Sequence, residues 1–315
     1  MRVLFMGSAP ISCVSLEALL ADADVNVVGV VTQPDRASGR KLQVRLGPVK
    51  ALAESRGIAV LAPERVNTPD AIAAIRAFAP DLIAVLAYGQ ILKRDLLEMA
   101  AYGCINVHTS LLPAYRGAAP IQWAVANGDS ESGVTTMQMD AGMDTGDILL
   151  QTRVAIGPED TAGDLHDALA VAGAGLLVDT LQGLRAGTLT PRPQDAASAT
   201  YAPKLKKSDG RIDWTLPAAA IHNRVRGFFP WPGCSCYLSG EAPLDQRVLK
   251  VHRARVVDAT GQAGTVIDIS AGGPTVAASQ GAIQLLRVQP AGRKAMSGDE
   301  FLRGHTLQVG ERMDA

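Results

Sequence analysis

The chain has 315 residues, 47 % of them hydrophobic and only 4 % aromatic, with a formal net charge of −1. Such a chain can bury a large core, enough for two domains, and its alanine, valine and leucine richness suits an α/β protein better than an all-β one. Four cysteines (Cys13, Cys104, Cys234 and Cys236) form no C-x-x-C pair, and five histidines show no metal-ligand spacing, so neither a disulfide framework nor a zinc site is expected. No apolar run is expected to reach membrane-spanning length, and "MRVLFMGSAP" is too short and too early broken for a signal peptide. The expectation is a soluble cytoplasmic protein with no membrane partner and no metal.

In chain order, "RVLFMG" is a short apolar strand ending at Gly7, followed by the helical spacing of "SAPISCVSLEALLA". "VNVVGVV" is a second strand, "PVKALAESRG" a helix, and "IAVLAP" a short strand. "TPDAIAAIRAFAP" is a helix with Thr68 as N-cap and Pro69 at its first position. "DLIAVLAYG" is a strand, "RDLLEMA" a helix and "GCINVH" another strand. Strands apolar on both faces and alternating with helices predict a doubly wound parallel sheet, whose ligands lie at the carboxyl ends of the strands. "GVTTMQM" reads as a strand with alternating faces and "DILLQTRVAI" as its partner, before a long alanine-rich helix over 161–186.

The texture then changes. Residues 187–210 are rich in Pro, Ser, Thr and charge, without periodicity, and read as an extended linker. Beyond it, short strand-like pieces such as "RVLKVHRARVV" and "AIQLLRVQP" are punctuated by glycine and predict a small antiparallel barrel. From Pro203 onward there are 15 Lys and Arg against 10 Asp and Glu, while the first 202 residues hold 15 and 21. A weakly acidic body joined to a basic tail points to an anionic macromolecule docking on the tail; scattered surface charge is the plainer alternative.

Two stretches carry chemistry. In "GCINVHTSLLPAYRGAAPIQWAV" (103–125), Asn106 and His108 are two residues apart and face one side where a strand runs out. "MQMDAGMDTGDIL" (137–149) is a tight loop carrying Asp140, Asp144 and Asp147 around Gly142 and Gly146. An amide can donate to an oxygen that turns negative, an imidazole can move a proton, and a carboxylate can fix the imidazole's tautomer. With an amine as acceptor no Ser or Cys nucleophile is needed, so the set fits direct acyl transfer. Each piece also has a structural reading: Asn106 as a strand terminator, Asp140 or Asp147 as a turn cap, Leu111 and Leu112 as core, Cys104 as a small buried hydrophobe. "MGSAPIS" has one glycine where a dinucleotide fingerprint needs three, which demotes nicotinamide chemistry.

These two stretches together resemble the signature of the folate-dependent formyltransferases. The likeness covers nearly the whole chain, through "VVGVVTQPDR" and "LAYGQIL" before the signature and "YAPKL", "RIDW", "FFPWPG" and "VQPAGRKAM" after it. The later motifs are similar to those of family members that act on an aminoacyl-tRNA. The resemblance implies a Rossmann-like catalytic domain over 1–188, a linker over 189–207 and an OB-fold-like tRNA-binding barrel over 208–315. It implies 10-formyltetrahydrofolate as formyl donor and the α-amine of methionyl initiator tRNA as acceptor, in the service of translation initiation. Carried over position by position, the catalytic trio falls on Asn106, His108 and Asp144, and the folate-contacting motif on Ser110, Leu111, Leu112 and Pro113.

Two departures accompany the match. Thr109 follows the histidine where many members have glycine or alanine, and the loop "QPDRASGRKLQVRLG" is about two residues shorter than the glycine-and-lysine run that the resemblance implies for related enzymes. Arg36, Arg40, Lys41 and Arg45 keep that loop positive, so tRNA phosphates are its expected partner. Lys204, Lys206, Lys207, Arg224, Arg226, Arg293 and Lys294 are expected to bind tRNA backbone without regard to sequence. A monomer is expected. The rivals are family members with a sugar or ribonucleotide amine, or water, as acceptor, and a nucleic-acid binder without turnover.

Overall fold

The computed structural model describes residues 1–38 and 43–314, whose contacts divide them into two units. The first comprises Met1–Gly117, Glu131–Ala155 and His166–Ala202; the second comprises Ala118–Ser130, Ile156–Leu165 and the chain from Pro203 on.

The chain begins with β1 (Arg2–Gly7), α1 (Ile11–Ala21), β2 (Asn26–Val31), and the antiparallel pair β3 (Arg36–Ser38) and β4 (Gln43–Arg45). Then come α2 (Pro48–Ser55), β5 (Val60–Leu61), α3 (Pro69–Arg76), β6 (Leu82–Leu86), α4 (Arg94–Leu97) and β7 (Cys104–His108). Thr68 caps α3 as its sequence predicts, its hydroxyl accepting from the Ala71 N–H, with Pro69 just inside. After β8 (Arg116–Gly117) and α5 (Pro120–Asn127) come β9 (Glu131–Gln138), β10 (Ile148–Ala155), α6 (Ala162–Ala186) and β11 (Tyr201–Ala202).

Seven of these strands form one sheet in the order β10-β9-β7-β6-β1-β2-β5. The sheet is mixed rather than wholly parallel: β5, β2, β1, β6 and β7 run parallel, while β9 is antiparallel to β7 and β10 antiparallel to β9. Strand order reverses between β1 and β6, which puts the topological switch at the carboxyl ends of β1 and β6, one strand away from β7. Val3 to Met6 and Leu82 to Ala84 are wholly buried, as expected for central strands covered on both faces.

β9 differs from its sequence reading. Its side chains do alternate, but six of eight residues are buried, so neither face is open. On one side Val134 and Val107 meet Gly173 of α6, and Thr136 and Thr180 share a 2.8 Å hydrogen bond. On the other, Leu111 lies over Gly133, where an added Cβ would come within 2.5 Å of it, and Leu112 packs with Met137 and Ile148. Helix α6 is, by length and composition, the one helix among the described residues that could cross a membrane, a candidate the sequence reading missed. Its apolar side, with Leu169, Leu177 and Leu181, is buried within the first unit instead.

The segment read as an extended linker is tied down over its first half. Arg192 and Ile148 exchange backbone hydrogen bonds of 2.9 and 2.8 Å, and β11 pairs in parallel with β8. Pairing partners 85 residues apart leave no periodic trace in a two-residue strand.

The second unit adds α7 (Ala218–Gly227), β12 (Cys234–Tyr237), β13 (Val248–Val257), β14 (Val266–Asp268), β15 (Thr275–Ala277), β16 (Ala282–Pro290), β17 (Met296–Ser297) and α8 (Gly298–Gly304). Its sheet is antiparallel in the order β12-β13-β16-β15-β14, with β17 on β16. Its core gathers Phe228, Phe301, Trp214 and Ile283. Helix α5 belongs here: Trp123 stacks edge-on against Phe228 at 5.4 Å, and Gly227 sits so close to Ala126 that a Cβ would meet its backbone at 2.5 Å.

Candidate active site

β7 holds the two residues that its sequence singles out. Asn106 lies opposite Met137 and His108 opposite Thr135 on β9, so all four side chains share the face away from α6. His108 is buried and Asn106 half-buried. Among the described residues no hydrogen bond engages the Asn106 carboxamide, which leaves its two N–H donors free for a ligand.

The imidazole is held by backbone. Its Nε2 lies 3.0 Å from the carbonyl of Tyr115, which can only accept, so Nε2 carries a proton and neutral His108 has a bare Nδ1. That Nδ1 faces Asp144 Oδ2 at 3.8 Å, beyond a direct hydrogen bond. The tautomer is therefore set by Tyr115 rather than by the aspartate. Asp144 Oδ2 accepts from the Gly117 N–H at 2.8 Å, so this carboxylate is aimed by a peptide group. The backbone of Asp144 is left-handed, with φ of 54°, a region that aspartate tolerates better than most residues.

The 137–149 loop is built to hold that turn. Asp140 accepts from the Thr145 hydroxyl at 2.7 Å and from the Gly142 N–H at 3.0 Å, so Asp140 is a turn cap. At Gly146 a Cβ would lie 1.7 Å from the carbonyl of Gln138, so only glycine fits. Gln194 completes the loop: its Nε2 donates to the carbonyls of Asp144 (2.8 Å) and Gly146 (2.7 Å), and its Oε1 accepts from Arg116 at 2.8 Å. Gln194 comes from the segment read as linker, and no local pattern marks it.

The Ser110–Pro113 stretch covers the same face. The Ser110 hydroxyl donates to the Ala114 carbonyl at 2.6 Å and the Leu112 N–H to Thr135 Oγ1 at 3.0 Å. Gln151 donates to both the Leu112 carbonyl and Thr135 Oγ1 at 2.9 Å. Ser110 and Leu112 are buried, which leaves Leu111 and Pro113, both half-buried, as the side chains able to touch a ligand. Cys104, on the same strand, donates to the Leu96 carbonyl, and burial pushes its thiol up to about 12. A group so far from ionising is no nucleophile near neutral pH.

The basic residues fall in both units. The backbones of Arg36 and Arg45 pair across β3 and β4, while Arg40 and Lys41 lie outside the described residues. In the second unit Lys204, Lys206, Lys207, Arg293 and Lys294 are exposed. Arg226 is not: it is buried, donates to the carbonyls of Gly157 (3.2 Å) and Asp160 (2.8 Å), and so supports the fold rather than offering a surface cation. No cluster of three or more His, Cys, Asp or Glu among the described residues could hold a metal ion.

An unengaged amide, a buried imidazole with one free nitrogen and a peptide-aimed carboxylate are groups that acyl transfer to an amine can use. The methionyl-tRNA formyltransferase of Geotalea daltonii is 45 % identical over 313 residues, covering 99 % of this chain and 98 % of its own. That of Trichlorobacter lovleyi is 47 % identical over 309 residues, 98 % of this chain and 96 % of its own. An N-formyltransferase from Helicobacter canadensis, solved with folinic acid and dTDP-3-aminofucose, has the same fold at 20 % identity, with a TM-score of 0.65 over 90 % of this chain and 99 % of that one. The formyl transferase model matches residues 1–181 and the formyl transferase C-terminal domain model residues 204–306, so the chain belongs to the formyl transferase family.

Proposed function

We propose that Asn106, His108 and Asp144 carry out the reaction for which the full-length relatives are named: transfer of the formyl group of 10-formyltetrahydrofolate to the α-amine of methionyl-tRNA, giving the formylated initiator. The observation that carries this reading is the unengaged Asn106 amide beside the free Nδ1 of His108. The amine attacks the formyl carbon and a C–N bond forms. The carbonyl oxygen turns negative and takes a hydrogen bond from the Asn106 NH₂. His108 Nδ1 takes the amine proton, and Asp144 stabilises the resulting imidazolium across the 3.8 Å gap. Collapse expels the folate nitrogen, which takes that proton back from His108 and leaves as tetrahydrofolate. Neither a metal nor a covalent enzyme intermediate is required by these steps, and the neutral Cys104 thiol agrees with direct transfer.

The folate lies against Ser110, Leu111, Leu112 and Pro113, with contact from Leu111, Pro113 and the backbone. Residues 1–188, apart from α5 and the 156–165 segment, whose contacts lie in the second unit, form the catalytic domain, with 189–207 a linker and 208–315 an OB-fold-like barrel. The antiparallel order of β12 to β17 supports the last of these, without fixing the barrel's class. The chain acts in the cytoplasm as a monomer, and Arg36, Arg40, Lys41, Arg45, Lys206 and Lys207 hold the tRNA backbone.

The test mixes purified protein with formyl-labelled folate and either methionyl initiator tRNA or water. Label that becomes acid-precipitable and is lost on deacylation establishes transfer to the aminoacyl group. Label found only as formate would make water the acceptor, and no turnover at all would end the enzymatic reading.

A further inference from the structure

Exposed aromatic side chains are rare in the second unit. Among its described residues Phe228, Phe301 and Trp214 are buried and Trp123 is half-buried, but Trp231 keeps 51 % of its surface in water. An indole offers a large flat face, and leaving half of it in water forgoes burial that a ligand could supply.

Its setting is specific. Trp231 lies in the loop Phe228–Gly233, closed by a 2.9 Å hydrogen bond from the Gly233 N–H to the Phe228 carbonyl. Pro230 and Pro232 flank it, and a residue before proline has a restricted backbone, so the ring stands on a stiff support. The short turn Lys207–Gly210 is pressed onto the same loop: a Cβ on Gly210 would lie 2.0 Å from the Gly233 carbonyl and 3.5 Å from Pro232. That turn brings Lys206 and Lys207, both exposed, and the next residue, Arg211, is exposed and stands 5.6 Å from the ring of Tyr237. None of Lys206, Lys207 and Arg211 has an ion-pair partner within 4.0 Å among the described residues.

A half-open indole, on a loop packed against the turn that carries these cations, is complementary to an unstacked nucleobase and its flanking phosphates, because base–aromatic stacking needs a π-face and the phosphates need charge. We propose that Trp231 is a stacking platform for an unpaired base of the tRNA substrate, with Lys206, Lys207 and Arg211 on the adjoining phosphates. This rests on the tRNA reading of the function. It makes Trp231 a positioning residue, one that acts on binding and not on the reacting atoms.

Stacking of one base is worth about 1–3 kcal/mol, so Trp231→Ala should raise the KM for methionyl-tRNA by roughly tenfold and leave kcat at saturating tRNA within about twofold. Trp231→Phe keeps a π-face and should stay within about threefold of the parent in KM. Binding of uncharged tRNA, or of a short single-stranded RNA, should quench tryptophan fluorescence in the parent protein, and Trp231→Phe should abolish that quenching. A blunt RNA duplex should leave it unchanged. An unaltered KM in Trp231→Ala, or quenching that persists in Trp231→Phe, overturns the proposal. If Trp231→Ala does not fold, parent fluorescence decides: no quenching by tRNA or single-stranded RNA also overturns it. The parent's formylation of methionyl-tRNA is scored separately, so failure of the platform and failure of the tRNA reading are distinct results.

Discussion

The face of β7 and the turn at Lys206 present their polar side chains in opposite ways. Asn106 and His108 stand on a strand paired on both sides, one ring nitrogen is fixed by a carbonyl, and the facing carboxylate is aimed by a peptide N–H. Lys206 and Lys207 are exposed and unpaired among the described residues. The first region works by position, where a single atom matters and salt matters little. The second works by charge, where each residue adds a small, screened share. Loss should therefore be steep in one region and shallow in the other.

Asn106→Ala gives the largest expected effect. A preorganised oxyanion donor contributes about 3 kcal/mol, so kcat should fall by about 100-fold or more while the melting temperature holds. Single-turnover kinetics check this, and a loss below about fivefold would remove Asn106 from the mechanism. Gln194→Ala comes next, because it frees two loop carbonyls and with them the left-handed turn at Asp144. With hydrogen bonds worth about 1 kcal/mol each, roughly a tenfold loss of kcat is expected, with little change in tRNA affinity. An effect on tRNA affinity alone would move Gln194 from the positional region to the charged one.

Replacing Lys206 and Lys207 together with alanine should change kcat little. It should lower the slope of log affinity for tRNA against log salt by about one to two units. An unchanged slope would make them ordinary solvated lysines. The smallest effect concerns His222, which lies 3.7 Å from Glu159. Burial pulls its pKa below the usual histidine value, against an opposing pull from Glu159. The unfolded chain then binds the proton more readily, so stability is full above pH 6.5 or so and falls as pH drops through that value. Melting curves of His222→Gln against the parent between about pH 5 and 8 should show a flatter acid limb in the variant. A limb of equal steepness would take His222 out of the acid response.

What the sequence discloses follows the same division. The shared face of Asn106 and His108 is legible because strand geometry fixes which side chains lie together, and the structure sets both opposite β9. The N-cap at Thr68 and the alternation of strands and helices are local and are equally readable. Three features escape because they depend on partners remote in sequence. The second buried face of β9 requires Leu111 to fold over Gly133. Gln194 matters only because its segment returns to the Asp144 loop. Arg226 looks like any surface cation until the carbonyls of Gly157 and Asp160 are found around it.

Helix α5 sits in sequence between β8 and β9 of the first unit, yet its contacts belong to the second: Trp123 donates to the Pro203 carbonyl at 2.9 Å and stacks on Phe228. The protein therefore cannot be dissected by one cut. A gene truncated after residue 202 would yield a catalytic fragment with the apolar side of α5 stripped of its cover, and hence one that aggregates. The complementary fragment would lack both α5 and the 156–165 segment on which Arg226 is anchored. Separating the halves for crystallisation or for fusion to other proteins calls for a rewired chain, with α5 grafted onto the C-terminal piece.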